Sequence, residues 1–228
     1  MSDHLRQNAE EILGRVQVAA ERADRDPAEI TVVAVSKTFD RALMDEAYAL
    51  GFRVFGESRV QEIREKCETP LLTGSRIHMI GPLQTNKIRQ VLPLIDVLQT
   101  VDRSRLVNNL QRELEVQDRT LNVMLQVNIA GEAQKSGVAP ADAPALLTNV
   151  LQSPRIHPTG LMTMAPYGAD DETLRSVFRG LRTLRDSLQE SHGVALPDLS
   201  MGMSDDFEIA IAEGATHIRI GRALFGSR

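Results

Sequence analysis

"LSMGMSDDFEIAIAEGATHIRIGRALFG", residues 199–226, packs two strand-turn-helix units into one short stretch. A β-branched and apolar run ends in the turn at Gly202 and gives way to an amphipathic segment, which closes at Gly214. A second run, 217–220, ends at Gly221 and again gives way to a helical pattern. Strand and helix in strict alternation predict parallel strands covered by helices, because a helix must carry the chain back between them.

Working outward, the same unit recurs. After a leading helix over 2–24, strands are predicted at 30–35, 53–55, 77–80, 96–101, 122–128, 156–162, 198–201 and 217–220. Several are almost wholly apolar, as strands covered on both faces should be. Between them apolar residues fall three and four apart: Leu43, Ala47 and Leu50; Leu106, Leu110 and Leu114; Leu174, Phe178, Leu181, Leu184 and Leu188. Asp40 is placed to cap the helix that Gly51 closes and Asp102 the one from 103, while Gly193 and Gly214 stand just after two others. No Ser/Gly-rich linker divides the chain, so 1–228 reads as one domain. Eight such units predict an α/β fold, a single (β/α)8 TIM-type barrel with an extra N-terminal helix; a doubly wound open sheet is the alternative.

Composition narrows the function. With 228 residues, 42% hydrophobic and 25% charged, the chain has the make-up of an ordinary folded protein. A net charge of −5, two tyrosines and no tryptophan leave neither a basic field nor a stacking surface for nucleic acid. The lone Cys67 excludes an internal disulfide or a thiolate metal cage and fits a reducing cytoplasm. The amino terminus has no apolar signal region, and no run reaches the ~18 apolar residues that a membrane span needs, so neither export nor membrane insertion is expected.

In a barrel the chemistry sits where the strands end. Lys37 closes the first strand. A rim position partly desolvates an ammonium and favours the neutral amine that attacks a carbonyl, although a lone lysine there also serves with its head in water. The turns at Gly202 and Gly221 follow the last two strands, where backbone N–H groups can converge on an anion; each glycine alone would also serve a tight turn. Barrel closure sets strand eight beside strand one, so Lys37 becomes a neighbour of Arg219 and Gly221. An aldehyde that is also a phosphate monoester satisfies both ends, and pyridoxal 5'-phosphate (PLP) is such a ligand. Arg219, two residues before Gly221 and on the same face, would donate to the pyridine nitrogen and leave it unprotonated, a poor electron sink.

These residues carry a resemblance. "VAVSKTF", "FGESRVQE", "HMIGPLQTNK", "LQVNIAGEAQKSG", "GLMTM" and the 199–226 stretch resemble, in order and over nearly the whole chain, the pyridoxal phosphate homeostasis proteins, also called the YggS or PROSC family. The resemblance implies a barrel like the amino-terminal domain of alanine racemase, with PLP held as a Schiff base on Lys37. It implies that Ser200, with backbone near Gly202 and Gly221, holds the phosphate, that Arg219 faces the ring nitrogen, and that Ser58, His78 and Met162 surround the cofactor. Relatives usually carry asparagine at Ser58, tryptophan at Ile77 and a small residue at Arg222. Ser58 therefore weakens a hydrogen bond to the ring from its strand, and Arg222 either adds charge at the phosphate or points to solvent.

Other signals carry less. "GPLQTNK", 81–87, lacks the glycine before the lysine and the hydroxyl after it that a phosphate-binding loop requires. His4, His78, His157, His192 and His217 have no metal-ligand spacing. Cys67 reads as an inert boundary residue, and the acidic run at 170–172 as the favourable start of a helix. The expected function is to hold and deliver PLP, with PLP-dependent apo-enzymes as partners, the chain being a monomer or weak dimer. The rivals are an amino acid racemase or lyase with Tyr167 as second base, and a Schiff-base aldolase, both using Lys37.

Overall fold

The computed structural model describes residues 3–132 and 136–226. Eight parallel strands close into a barrel in sequence order: β1 Thr31–Val35, β2 Val54–Glu57, β3 Arg76–Met79, β4 Val97–Val101, β5 Leu121–Gln126, β6 Ile156–Met162, β7 Asp198–Met203 and β8 His217–Ile220. The helices are α1 Asp3–Arg22, ahead of the barrel, then α2 Arg41–Ala49, α3 Val60–Lys66, α4 Ile88–Val91, α5 Ser104–Val116, α6 Ala143–Leu151, α7 Asp171–His192, α8 Phe207–Ala212 and α9 Arg222–Phe225, one after each strand. The open-sheet alternative fails because β8 pairs with β1, with Thr31 opposite His217 and Val33 opposite Arg219. Part of the "LQVNIAGEAQKSG" motif, 133–135, lies outside the described residues.

Strand alternation sorts the side chains into two cores. Ala34, Phe55, Ile77, Leu98, Val123, Leu161, Leu199 and Ile218, one from each strand, face outward and are buried against the helices. Their partners include Met44, Ile63, Val91, Leu110, Leu147, Phe178 and Ile211, the apolar faces that helical spacing requires. Leading helix α1 adds Leu5, Ala9, Ile12 and Val16, spaced three and four apart, and packs on α8 and α9. Its Asn8 donates to the Leu224 carbonyl at 3.0 Å.

Helix ends follow the expected chemistry with one exception. Asp40 accepts from the Leu43 amide and Asp170 from the Thr173 amide, while Gly193 closes α7 in the left-handed region at φ 64°. Asp102 does not cap α5. Its carboxylate is taken by the Arg103 guanidinium, and Arg103 occupies the cap position without a side-chain bond to the amides of the helix start. Strand β2 also runs two residues beyond the expected 53–55. Gly56 continues the pairing with Val35 and His78, at a point where a Cβ would come within 3.0 Å of Val33 and 3.1 Å of Ile80.

Candidate functional site

Residues in register on parallel neighbours share a face. The pairs Val33–Arg219, Val35–Gly56, Gly56–His78, Gln126–Met162 and Met162–Ser200 therefore mark the inside of the barrel. Barrels of this type usually fill that space with branched aliphatic side chains. Here half of it is polar. Arg219 Nη1 donates to Ser200 Oγ at 2.8 Å, and Ser200 Oγ donates to Gln99 Oε1 at 2.7 Å. Gln99 Nε2 lies 2.9 Å from His78 Nδ1. Arg219 Nη2 donates to the Thr163 carbonyl, also at 2.8 Å. Strands β4 and β7 are not neighbours, so the Gln99–Ser200 bond crosses the lumen.

Proton directions along this chain are fixed by its first member. Guanidinium has only donors, so Ser200 accepts from it and in turn donates to the Gln99 carbonyl oxygen. The amide nitrogen of Gln99 then donates to His78 Nδ1, which places the histidine proton on Nε2. Burial pushes the His78 pKa down to about 3, with help from His217 and Arg76, so the ring stays neutral. Burial likewise lowers His217, whose ring centroid is 5.8 Å from that of His78. Arg219 is lowered by burial to about 10 against the pull of Asp206, and so remains charged at neutral pH.

Above this network lies the rim. The inward series Val33, Val35 is followed by Lys37, which sits in the turn after β1 and is exposed. The partial desolvation expected at a rim position is therefore not what the structure shows; the turn lifts the residue clear of the barrel. Gly221 follows β8, and a Cβ on it would lie 3.5 Å from Val35 Cβ, which sets it against the end of the strand that leads to Lys37. Phe39, two residues past the lysine, packs on Phe225 of α9 with ring centroids 5.3 Å apart. Gly202 is not in a turn but inside β7, which runs two residues beyond the expected 198–201 and shifts register there; with φ 89° and a Cβ that would meet Ala210 Cβ at 2.5 Å, the position demands glycine.

Two expected site residues are placed differently. Ser200 is wholly buried and its hydroxyl is committed to Arg219 and Gln99; alternation turns it inward, one layer below the rim. The hydroxyl that stands between the ends of β7 and β8 belongs to Ser204, which accepts from the Ala223 amide at 3.4 Å. Arg222 is exposed and bound to Asp205, which resolves its alternatives toward solvent. Met162 and His78 are buried inside the mouth. Ser58 is half-buried after β2, where its carbonyl leaves no room for a side chain at Gly81. Tyr167, the candidate second base, is 85% exposed.

Sequence reasoning missed the residues that tie this rim together. Asp206 accepts from the Met203 amide and thereby closes the turn after β7; burial raises its pKa against that bond and Arg219. Behind Lys37, in the layer between barrel and helices, Glu57 Oε1 accepts from Ser36 Oγ at 2.6 Å and from Lys66 Nζ. Both ends of that ion pair are buried. Glu57 Oε2 has no hydrogen-bond partner among the described residues, and burial pushes the carboxyl pKa up against the attraction of Lys66. Cys67, next in sequence, is half-buried with its pKa raised by burial, as an inert thiol should be. Among the described residues no helix is long and apolar enough to cross a membrane, and no cluster of His, Cys, Asp and Glu is arranged for a metal.

Comparison with known proteins agrees with this fold. Residues 7–228 match the family model described as alanine racemase, N-terminal domain. A pyridoxal phosphate homeostasis protein of Aquifex aeolicus is 42% identical over 95% of this chain and 95% of its own. Another, from Pseudomonas aeruginosa, is 42% identical over 97% and 95%. The structure of PipY from Synechococcus elongatus, solved with PLP bound, superposes with a TM-score of 0.82 at 37% identity, covering 94% of this chain and 100% of PipY. A barrel closed through the Lys37 and Gly221 strands, matched over nearly its full length by these relatives, belongs to the pyridoxal phosphate homeostasis protein family.

Proposed function

We propose that this chain binds PLP at the barrel mouth and serves its homeostasis, holding the cofactor on Lys37 and releasing it to PLP-dependent apo-enzymes in the cytoplasm, all on one barrel domain. The observation that carries the reading is the seat of Gly221 against Val35, because it joins an amine to a glycine turn across the closure of the barrel. When bound, PLP supplies an aldehyde carbon, which takes the Lys37 nitrogen in a C=N bond with loss of one water, and a phosphate dianion.

The residues present fit that ligand. Ser204 and the backbone at Gly202 and Gly221 would face the phosphate, a duty that moves from Ser200 to Ser204 because the Ser200 hydroxyl is already committed. Arg219, held by Ser200 and the Thr163 carbonyl, would donate to the ring nitrogen and keep it unprotonated. Met162 and His78 would lie beneath the ring and Ser58 beside it. Carbanion chemistry is poorly served by such a ring, and the exposed Tyr167 phenol is not preorganised as an opposing base. Carriage rather than turnover follows. The test is incubation of the purified protein with PLP, borohydride reduction and peptide mass spectrometry. A pyridoxyl group on Lys37, lost in Lys37→Ala, is expected; a wild-type protein without that label would overturn the reading.

A further inference from the structure

We propose that Glu62 is a positioning residue for Lys37, acting through the backbone of the turn that carries the lysine; this rests on the reading that PLP is held there. Ser36 to Phe39 form a hydrogen-bonded turn, with the Phe39 amide donating to the Ser36 carbonyl at 3.1 Å. Thr38, in third place, has φ 75°, whereas Lys37 is not among the residues of positive φ. That is a type II turn, whose third place favours glycine and is sterically poor for a β-branched residue.

Left to itself, the threonine would relax by flipping the Lys37–Thr38 peptide to a type I turn, where the third residue has φ of about −90°. The flip exchanges the directions of the Thr38 N–H and the Lys37 carbonyl. Glu62 opposes it, because its Oε2 accepts from the Thr38 amide at 2.8 Å, and after a flip the carboxylate would face a carbonyl oxygen. One turn further along α3, Lys66 Nζ donates to the Ser36 carbonyl at 2.7 Å. Glu62 and Lys66, at i and i+4, therefore grip the backbone on both sides of Lys37. The lysine side chain is exposed and makes no hydrogen bond or ion pair with the described residues, so the turn alone sets where its amine starts.

The full-length protein is incubated with PLP, quenched with borohydride at timed intervals, and the Lys37 peptide is quantified, with melting midpoints recorded in parallel. Glu62→Ala labels on the order of fivefold more slowly, the loss expected when a strained left-handed residue is free to relax. Adding Thr38→Gly restores the rate to within about twofold, because glycine holds the type II turn unaided. A role confined to α3 stability would give no such rescue. Wild-type labelling with Glu62→Ala unchanged, or without rescue by Thr38→Gly, overturns the inference and leaves PLP attachment standing. An unlabelled Lys37 in the wild type overturns both.

Discussion

Arg219 and Ser200, nineteen residues apart, meet inside the barrel, where the guanidinium donates to the serine hydroxyl at 2.8 Å and the hydroxyl in turn donates to the Gln99 side-chain oxygen. Removing that hydroxyl strands a buried donor and a buried acceptor together. Ser200→Ala should lower stability by about 1–3 kcal/mol in urea denaturation. Ser204→Ala, at the half-buried rim, should change it by no more than ~0.5 kcal/mol while loosening PLP. Intact stability with lost PLP in Ser200→Ala would return the phosphate to Ser200.

His78 predicts an acid limit. Its pKa is about 3 in the folded protein, against about 6.5 for an imidazole in the unfolded chain. Above pH 6.5 the ring is neutral in both states and costs nothing. Below it only the unfolded chain gains the proton, so stability drains as pH falls toward the folded value, by about 2 kcal/mol at pH 5 from this group alone. His78→Asn keeps an acceptor for Gln99 and should flatten the difference between urea midpoints at pH 7 and pH 5. An equal drop in variant and wild type would refute the assignment.

Lys66→Met should be severe. It leaves the buried Glu57 carboxylate without its cation and takes from the Ser36 carbonyl one of its two donors, the Phe39 amide remaining, and breaking such a pair from one side costs about 3–5 kcal/mol. Pairing it with Glu57→Gln removes the stranded charge. The double variant should recover part of the loss, which a double-mutant cycle would read directly.

The two rim glycines should part company. Gly202→Ala combines φ 89° with a Cβ 2.5 Å from Ala210, so it should lose well over about 1 kcal/mol or fail to fold. Gly221→Ala meets Val35 at an ordinary 3.5 Å and should keep a near-normal melting point while retaining PLP less well. A severe loss of stability in Gly221→Ala would make that glycine a turn residue only.

Strand order, closure and the position of Lys37 just past β1 were legible because each follows from local periodicity plus one topological rule. The rest depended on distances across the lumen. Alternation shows that Gln99 and Ser200 leave their strands on the same side of the sheet, but not that residues 101 apart will bond through the interior. The resemblance assigned Ser200 to the phosphate, while its bonds to Arg219 and Gln99, and any part for Gln99, were not legible. Lys66 closes an amphipathic segment like any surface lysine, and only the backbone path shows that β2 continues through Gly56, so that Glu57 faces outward to meet it. Thr38 carries no sequence mark of its left-handed backbone; a glycine there would have announced the turn.

Joining β8 to β1, where the Thr31 amide donates to the Thr216 carbonyl at 2.7 Å, also sets a timetable. Lys37 is synthesised early and Gly221 late, and until the eighth strand zips onto the first they are distant parts of an open ribbon. Contacts of such separation form late, against the entropy of closing a long loop. A ligand that spans the seam binds only the finished ring and, by mass action, holds it shut. Occupancy of the mouth thus reports that folding is complete.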